Sequence, residues 1–206
     1  GSTPVATSAD TTEVLISTQV PVAAFVRGSS YYVVVNESAA PRTLTEWVGP
    51  DLAKNGRYSL ISGQGGRVLR YEIQPDDKTP PRLIAGGTHW RLLQSSTITA
   101  PDVTLDLVEE PAYALGPRVL VKTDKALNPV VFADPVVGDT LIAVPVAQSG
   151  AGLAQPYQFV QARLLPSTQG VAVLSRSDDL AVISSPLGVE ISAGSGFKLA
   201  ETLASE

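Results

Sequence analysis

VLISTQVPVAAFVRGSSYYVVVN, residues 14 to 36, is the stretch on which the fold turns. Apolar, strand-favouring residues run to Arg27, Gly28-Ser29-Ser30 supplies a turn, and Tyr31 to Asn36 returns as a second strand. Successive strand residues point to opposite faces, so Tyr31, Val33 and Val35 share one side while Tyr32 and Val34 share the other. Both sides are apolar. A strand of this kind is covered on both sides or lies inside a sandwich.

The same grammar extends outward in both directions. YSLI, the turn SGQGG and RVLRYEI (58–73) read as one hairpin; PRLIA, Gly86-Gly87 and THWRLLQ (81–94) read as another. TLTEWVGPDLAKNG (43–56) has helical character, but Gly49-Pro50 cuts it to about one turn on either side. Beyond residue 101 the runs DVTLDLVE, PRVLVKT, PVVFADPVVGDTLIAVPVA, YQFVQARLL, GVAVLSR, LAVISS, GVEIS and FKLA are nearly all strand-length and rich in Val, Ile and Leu. No βαβ alternation is visible. The spacing predicts an all-β protein of about 12 to 16 short strands: an antiparallel β-sandwich, either one elongated sandwich or two packed sub-sandwiches.

The pattern weakens over residues 94 to 101, which places a boundary there. The expected organisation is a disordered leader over 1–13, a β sub-domain over 14–96, a second β sub-domain over 97–200 and the possible start of a helix over 201–206, where LAETLASE turns to helix formers. Gly1-Ser2 has the look of a tag-cleavage scar, so residues 3 onward read as a piece of a longer protein.

Composition excludes several functional classes. Hydrophobic residues make up 44% and charged residues 17%, far from a disordered chain. A net charge of −5, with basic residues scattered singly, opposes the electrostatic footprint of a nucleic-acid binder. No apolar stretch approaches the roughly 18 to 20 residues of a membrane span, so no membrane insertion of this stretch is expected. With no cysteine and one histidine, the soft-metal and thiol chemistries lack their side chains.

The remaining motifs read structurally. His89 in GGTHWRLL should share a face with Arg91, opposite Trp90 and Leu92, and has no partners at metal-binding spacing. Asp76-Asp77, Glu109-Glu110 and Asp178-Asp179 sit in turn-like contexts and read as solvated turn carboxylates rather than a glycosidase pair. DPVVGD (134–139) lacks the alternating oxygen ligands of a calcium loop and reads as a turn or bulge. GQGG (63–66) and Gly194-Ser195-Gly196 read as turns, not phosphate loops. No catalytic residue, metal ligand or cofactor is predicted. Among the aromatics, Trp47 stands apart because TEWVGPDL is irregular, and loops carry function more often than sheets; it is the candidate binding residue.

Residues 134–200, with FVRGSSYYVVVN (25–36) and GGTHWRLLQ (86–94), resemble the N-terminal β-rich region of alphaproteobacterial periplasmic tetratricopeptide-repeat proteins, and have some similarity to the AMIN-type β-sandwich of cell-wall amidases and secretins. The resemblance implies a periplasmic, non-enzymatic module attached to a helical repeat array. The expected function is therefore a non-catalytic binding or scaffolding module of the cell envelope that docks a larger repeat protein onto another envelope protein or the cell wall. A peptidoglycan- or carbohydrate-binding β-sandwich and a glycan-active enzyme with two carboxylates are the alternatives. Exposed sheet edges would favour docking, a groove with exposed aromatics would favour a glycan binder, and two carboxyls across a cleft would favour the enzyme.

Overall fold

A computed structural model describes residues 11–75, 81–93 and 100–198. In chain order the first half holds β1 (Thr11–Ser17), β2 (Val22–Arg27), β3 (Ser30–Asn36), the short helices α1 (Leu44–Val48) and α2 (Pro50–Ala53), β4 (Tyr58–Gly63), β5 (Gly66–Glu72), β6 (Arg82–Gly86) and β7 (His89–Leu93). The second half opens with β8 (Val103–Thr104), β9 (Leu107–Glu110), β10 (Arg118–Lys122), β11 (Val130–Ala133), β12 (Thr140–Val144) and β13 (Ala151–Gly152). It closes with β14 (Tyr157–Gln158), β15 (Ala162–Leu165), β16 (Ser167–Gln169), β17 (Val171–Ser175), β18 (Leu180–Ser185) and β19 (Gly188–Ala193). The protein is all-β, and its pairings are antiparallel except for the short β8–β13 pair. The nineteen strands among the described residues exceed the expected number because β8, β13 and β14 are two residues long and β16 three, too short to leave a periodic signal.

Four of the five sheets among the described residues stack with three apolar cores between them, the fifth being the two-stranded β8–β13 pair. The outermost on one side is β1-β7-β6, followed by β16-β2-β3-β5-β4, then β11-β12-β17-β15-β14, then β18-β19-β10-β9. Strand alternation builds the cores. On β3, Tyr31, Val33 and Val35 face the first core with Trp90 and Leu92 of β7, while Tyr32 and Val34 face the second with Phe132 of β11 and Leu141 of β12. On β12, Leu141 and Ala143 enter the second core, and Ile142 and Val144 enter the third, where Val119 and Val121 of β10 meet Val189 and Ile191 of β19. The two inner sheets are thus apolar on both faces. The doubly apolar reading of residues 31–35 is what the structure shows.

The halves of the chain are tied together. β16 leaves the second half to pair with β2 at the edge of the first half's large sheet. Gly170 makes the return possible: its φ is +74°, and a Cβ there would sit 2.6 Å from the Val144 carbonyl and 2.8 Å from the Ala23 side chain. The Tyr31 hydroxyl accepts from the Leu83 backbone N–H at 2.7 Å and bonds Thr168 Oγ1 at 3.1 Å, joining β6, β3 and β16. Arg82 on β6 also pairs with Asp102 across the chain division placed near residues 94–101.

Several local expectations are corrected. The expected leader does not reach residue 13, since Thr11 to Val14 already pair with Leu93 to Trp90, and its residues 1–10 lie outside the described ones. Glu109 and Glu110 lie on β9, not in a turn, and Glu110 pairs with Arg118. Asp76-Asp77, most of the 94–101 boundary and the suggested helix over 201–206 lie outside the described residues. Gly49 does divide the helical segment, with a φ of +88° between α1 and α2.

Candidate docking surface

The sheet β18-β19-β10-β9 closes the stack, so only one of its faces enters a core between sheets, while on the other Leu120 and Arg118 are covered by neighbouring side chains. On β10, Val119 and Val121 point into the third core, and Arg118, Leu120 and Lys122 therefore point outward. The register places Val108, Leu120, Glu190 and Ile183 in one row across the four strands on this outer face. Beside that row, Arg118 bonds Glu190 at 2.5 Å and Glu110 at 3.3 Å, and its guanidinium lies 3.6 Å from the centre of the Tyr113 ring. These contacts fix the loop 111–117 that joins β9 to β10, and Gly116 N–H closes its turn on the Tyr113 carbonyl at 2.9 Å. At its tip Leu115 is 89% exposed.

Apolar exposure concentrates here. Of the nine large hydrophobic residues that stand exposed among the described residues, Tyr113, Leu115, Ile183 and Leu187 all belong to this sheet and its connections. Ile183 and Leu187 lie together at the β18 edge, whereas Tyr113 and Leu115 lie on the β9–β10 loop at the opposite corner of the sheet. The sheet also ends in β18, which has no partner strand beyond it among the described residues. β18 reads LAVISS, without a charge, a proline or a bulge, the devices that normally keep an edge from pairing.

A trough crosses the end of the outer face where β10 and the β18–β19 turn finish. Its larger section, about 400 Å³, is lined by Leu120, Lys122, Thr123, Asp124, Gln148, Pro186 and Leu187. A second section of about 320 Å³ shares Thr123, Asp124 and Gln148 and continues to Lys125 and Ala147. The walls are tied in place: Thr123 N–H donates to the Leu187 carbonyl at 3.3 Å, Ala147 N–H to the Lys125 carbonyl at 3.1 Å, and Gln169 Nε2 to the Gln148 carbonyl at 2.9 Å. Gly188 lets β19 approach β10 at this point, since its φ is +140° and a Cβ would lie 2.0 Å from the Val121 carbonyl oxygen.

Trp47, the predicted binding residue, is not on this surface or any other. Its ring is fully buried in the first core and its Nε1 donates to the Pro41 carbonyl at 2.8 Å. The physical reason is an N-cap: Thr43 Oγ1 accepts from Glu46 N–H, and the same hydroxyl donates to Glu46 Oε1, which sets α1 so that Trp47 faces the sheet. The indole is therefore a core group rather than a contact. His89 is half-exposed, with Nδ1 3.0 Å from Thr88 Oγ1 and 3.3 Å from Glu13 Oε1, and it shares the outer face of β7 with Arg91.

The strongest ion cluster lies elsewhere and is structural. Arg27 bonds Asp139 through both terminal nitrogens, at 2.5 and 2.6 Å, and Asp134 at 2.8 Å. Asp134 Oδ1 also accepts from Val136 N–H at 2.8 Å and Val137 N–H at 3.2 Å, so DPVVGD is a clamped turn. Burial pushes the Asp134 carboxyl upward, but these backbone donors and the Arg27 guanidinium outweigh it and hold the group below the ordinary range. Hydrogen bonding from Arg27 lowers Asp139 in the same way. Among the described residues no three His, Asp or Glu side chains gather as a metal site.

Sequence reasoning missed Leu115, Ile183, Leu187 and the two trough lysines. The signal was present in two places: PAYALGP (111–117) and PLG (186–188) put leucines inside turns, where no strand alternation can carry them into a core.

The fold and this surface define an all-β protein of stacked, mostly antiparallel sheets whose last sheet faces no further sheet on one side and ends in β18 and β9, neither with an outer partner strand among the described residues. Comparison with protein-family models, curated proteins and solved structures gives no match.

Proposed function

We propose that this chain is a non-catalytic docking module that takes an extended segment of a partner protein along the β18 edge. The observation that carries the reading is the coincidence of an uncharged edge strand, without an outer partner among the described residues, with two exposed large hydrophobic side chains, Ile183 on that strand and Leu187 just past its end. Strand addition draws its affinity from main-chain hydrogen bonds and its selectivity from alternate side chains, so it needs none of the reactive groups this sequence lacks. Ile183 and Leu187 supply the apolar contacts beside that edge.

The glycan-binding alternative receives no comparable support, because the trough lining carries no aromatic ring on which a sugar could stack. Its lining also includes a single carboxylate, Asp124, where a glycosidase needs two. The periplasmic setting, and attachment to a tetratricopeptide-repeat array in the cell envelope, rest on the resemblance of residues 134–200. Fractionation of the native protein tests that setting, which a cytoplasmic location would overturn.

Peptide-display selection followed by amide mapping tests the docking mode. Selected peptides should perturb the backbone amides of residues 180–185, and Ser184→Pro, which removes an N–H that faces the free edge, should abolish their binding while Ile183→Thr retains part of it. Selected peptides that map to another face, or that bind a folded Ser184→Pro variant undiminished, would overturn the reading.

A further inference from the structure

The chain has five lysines, and two of them, Lys122 and Lys125, line the two adjoining sections of the trough, which share Thr123, Asp124 and Gln148. Neither enters an ion pair among the described residues, whereas Arg27, Arg82 and Arg118 are each held by carboxylates. In a protein of net charge −5, two unpaired ammonium groups at one depression make a local positive field against the general sign. Asp124, also in the lining, offsets one of them. The remaining lining is apolar at one end, where Leu120 forms the floor and Pro186 and Leu187 form a wall.

Position links this trough to the edge strand. β18 runs from Leu180 to Ser185, and the next two residues, Pro186 and Leu187, are the trough wall. Lys122 lies across from Gly188, which in turn faces Ser185, so it stands two strands from the edge, about 10 Å at ordinary strand spacing. A segment that follows β18 past Ser185 therefore arrives at the mouth of the trough and can turn into it.

We infer that the trough receives an acidic continuation of the docked strand: a leucine-sized side chain over Leu120 and Leu187, followed by glutamate or aspartate side chains at Lys122 and Lys125. The inference rests on strand addition at β18 and names the partner's chemistry. Lys122 and Lys125 donate to the partner's carboxylates, and Asp124 accepts from one of its backbone N–H groups. The edge supplies affinity without sequence information, and the trough supplies the discrimination.

Two synthetic peptides test it. Both alternate threonine and valine over six residues and continue with leucine; one ends in two glutamates and the other in two lysines. In an amide-resolved titration at about 0.05 M salt, the glutamate peptide should shift Val182 to Ser185 together with Lys122, Lys125 and Leu187. It should bind about tenfold more tightly than the lysine peptide, and the gap should narrow at about 0.5 M salt. The double variant Lys122→Glu, Lys125→Glu alters exposed side chains, so its melting temperature should match the parent's, and it should reverse the preference. Equal affinities with shifts confined to β18 would overturn the acidic assignment while leaving strand addition standing. No shift at β18 with either peptide would overturn both.

Discussion

At the residue scale, burial decides what Trp47 and Arg27 do. The irregular sequence around Trp47 suggested a loop, yet Thr43 and Glu46 form a cap that aims the indole inward. Trp47→Ala should cost roughly 3 to 5 kcal/mol of stability, the range for emptying a large core site, and should leave peptide binding at the folded surface unchanged. Equilibrium denaturation beside a binding titration measures both; a stable variant with weakened binding would contradict the core assignment. Arg27 is the counter-ion of Asp134, whose side chain is 2% exposed. Arg27→Ala should cost about 3 kcal/mol because it leaves a buried carboxylate unpaired. The clamp also fixes an acid limit. Asp134 and Asp139 have folded-state pKa values below their unfolded values near 3.9, so their stabilisation is complete above about pH 4 and is lost as the pH falls through the lowered values. Asp179, brought down to about 2 by the Ser177 hydroxyl and the Ser195 backbone and side chain, adds in the same direction. Melts from pH 7 to pH 2 should show the decline beginning below about pH 4, and Asp139→Asn should flatten it; an unchanged slope in that variant would remove the clamp from the account.

At the element scale, strands and turns of five or more residues could be read directly, while interactions that join distant segments could not. The hairpin 58–73, the division of the helix at Gly49, and the two-faced strand 31–35 follow from alternation and turn chemistry, and the structure has all three. β16 shows no comparable signal. Ser167, Thr168 and Gln169 are polar yet nearly buried, because their side chains satisfy one another's surroundings across elements: Ser167 Oγ bonds the Gly170 carbonyl at 2.7 Å, and Gln169 Nε2 bonds the Val146 carbonyl at 3.1 Å. Binary patterning reads such residues as loop. The candidate surface was hidden for the opposite reason, since an outward-facing Ile183 or Leu187 is indistinguishable in sequence from a core residue until the layer order is known. Two substitutions separate the roles of neighbours at this end of the sheet. Gly188→Ala should destabilise by more than ~1 kcal/mol through its positive φ and its collision with the Val121 carbonyl. Ile183→Lys, on the exposed face, should stay within about 0.5 kcal/mol of the parent. Thermal melts would show whether this order holds.

At the scale of the whole molecule, the second core is the junction. Phe25, Tyr32 and Val34 from the first half pack there against Phe132, Leu141 and Leu174 from the second. The rings of Phe25, Tyr32 and Phe132 lie 5.3 to 6.5 Å apart. A fragment of residues 3–93 would expose one side of that core and lose β16 from its large sheet. It should bind a hydrophobic dye and unfold without cooperativity, and adding a fragment of residues 94–206 should restore a cooperative melt. A monomeric 3–93 fragment with a sharp transition and no dye binding would show that the first half is complete in itself. The core that joins the two sides of the sequence boundary near residues 94–101 was invisible because its members from the two halves, Val68 and Val130 at the nearest, are more than sixty residues apart.

The late insertion of β16 has a consequence for how the protein is made. Translation proceeds at about 5 to 20 residues per second, so roughly 4 to 15 seconds separate the appearance of Leu93 from that of Gln169. Throughout that interval the nascent first half carries an open β2 edge and an uncovered aromatic face outside the ribosome. Protection of newborn chains by a holding chaperone, or a pause-free stretch of codons between residues 94 and 169, would therefore raise the yield of folded protein more than any change to its finished contacts.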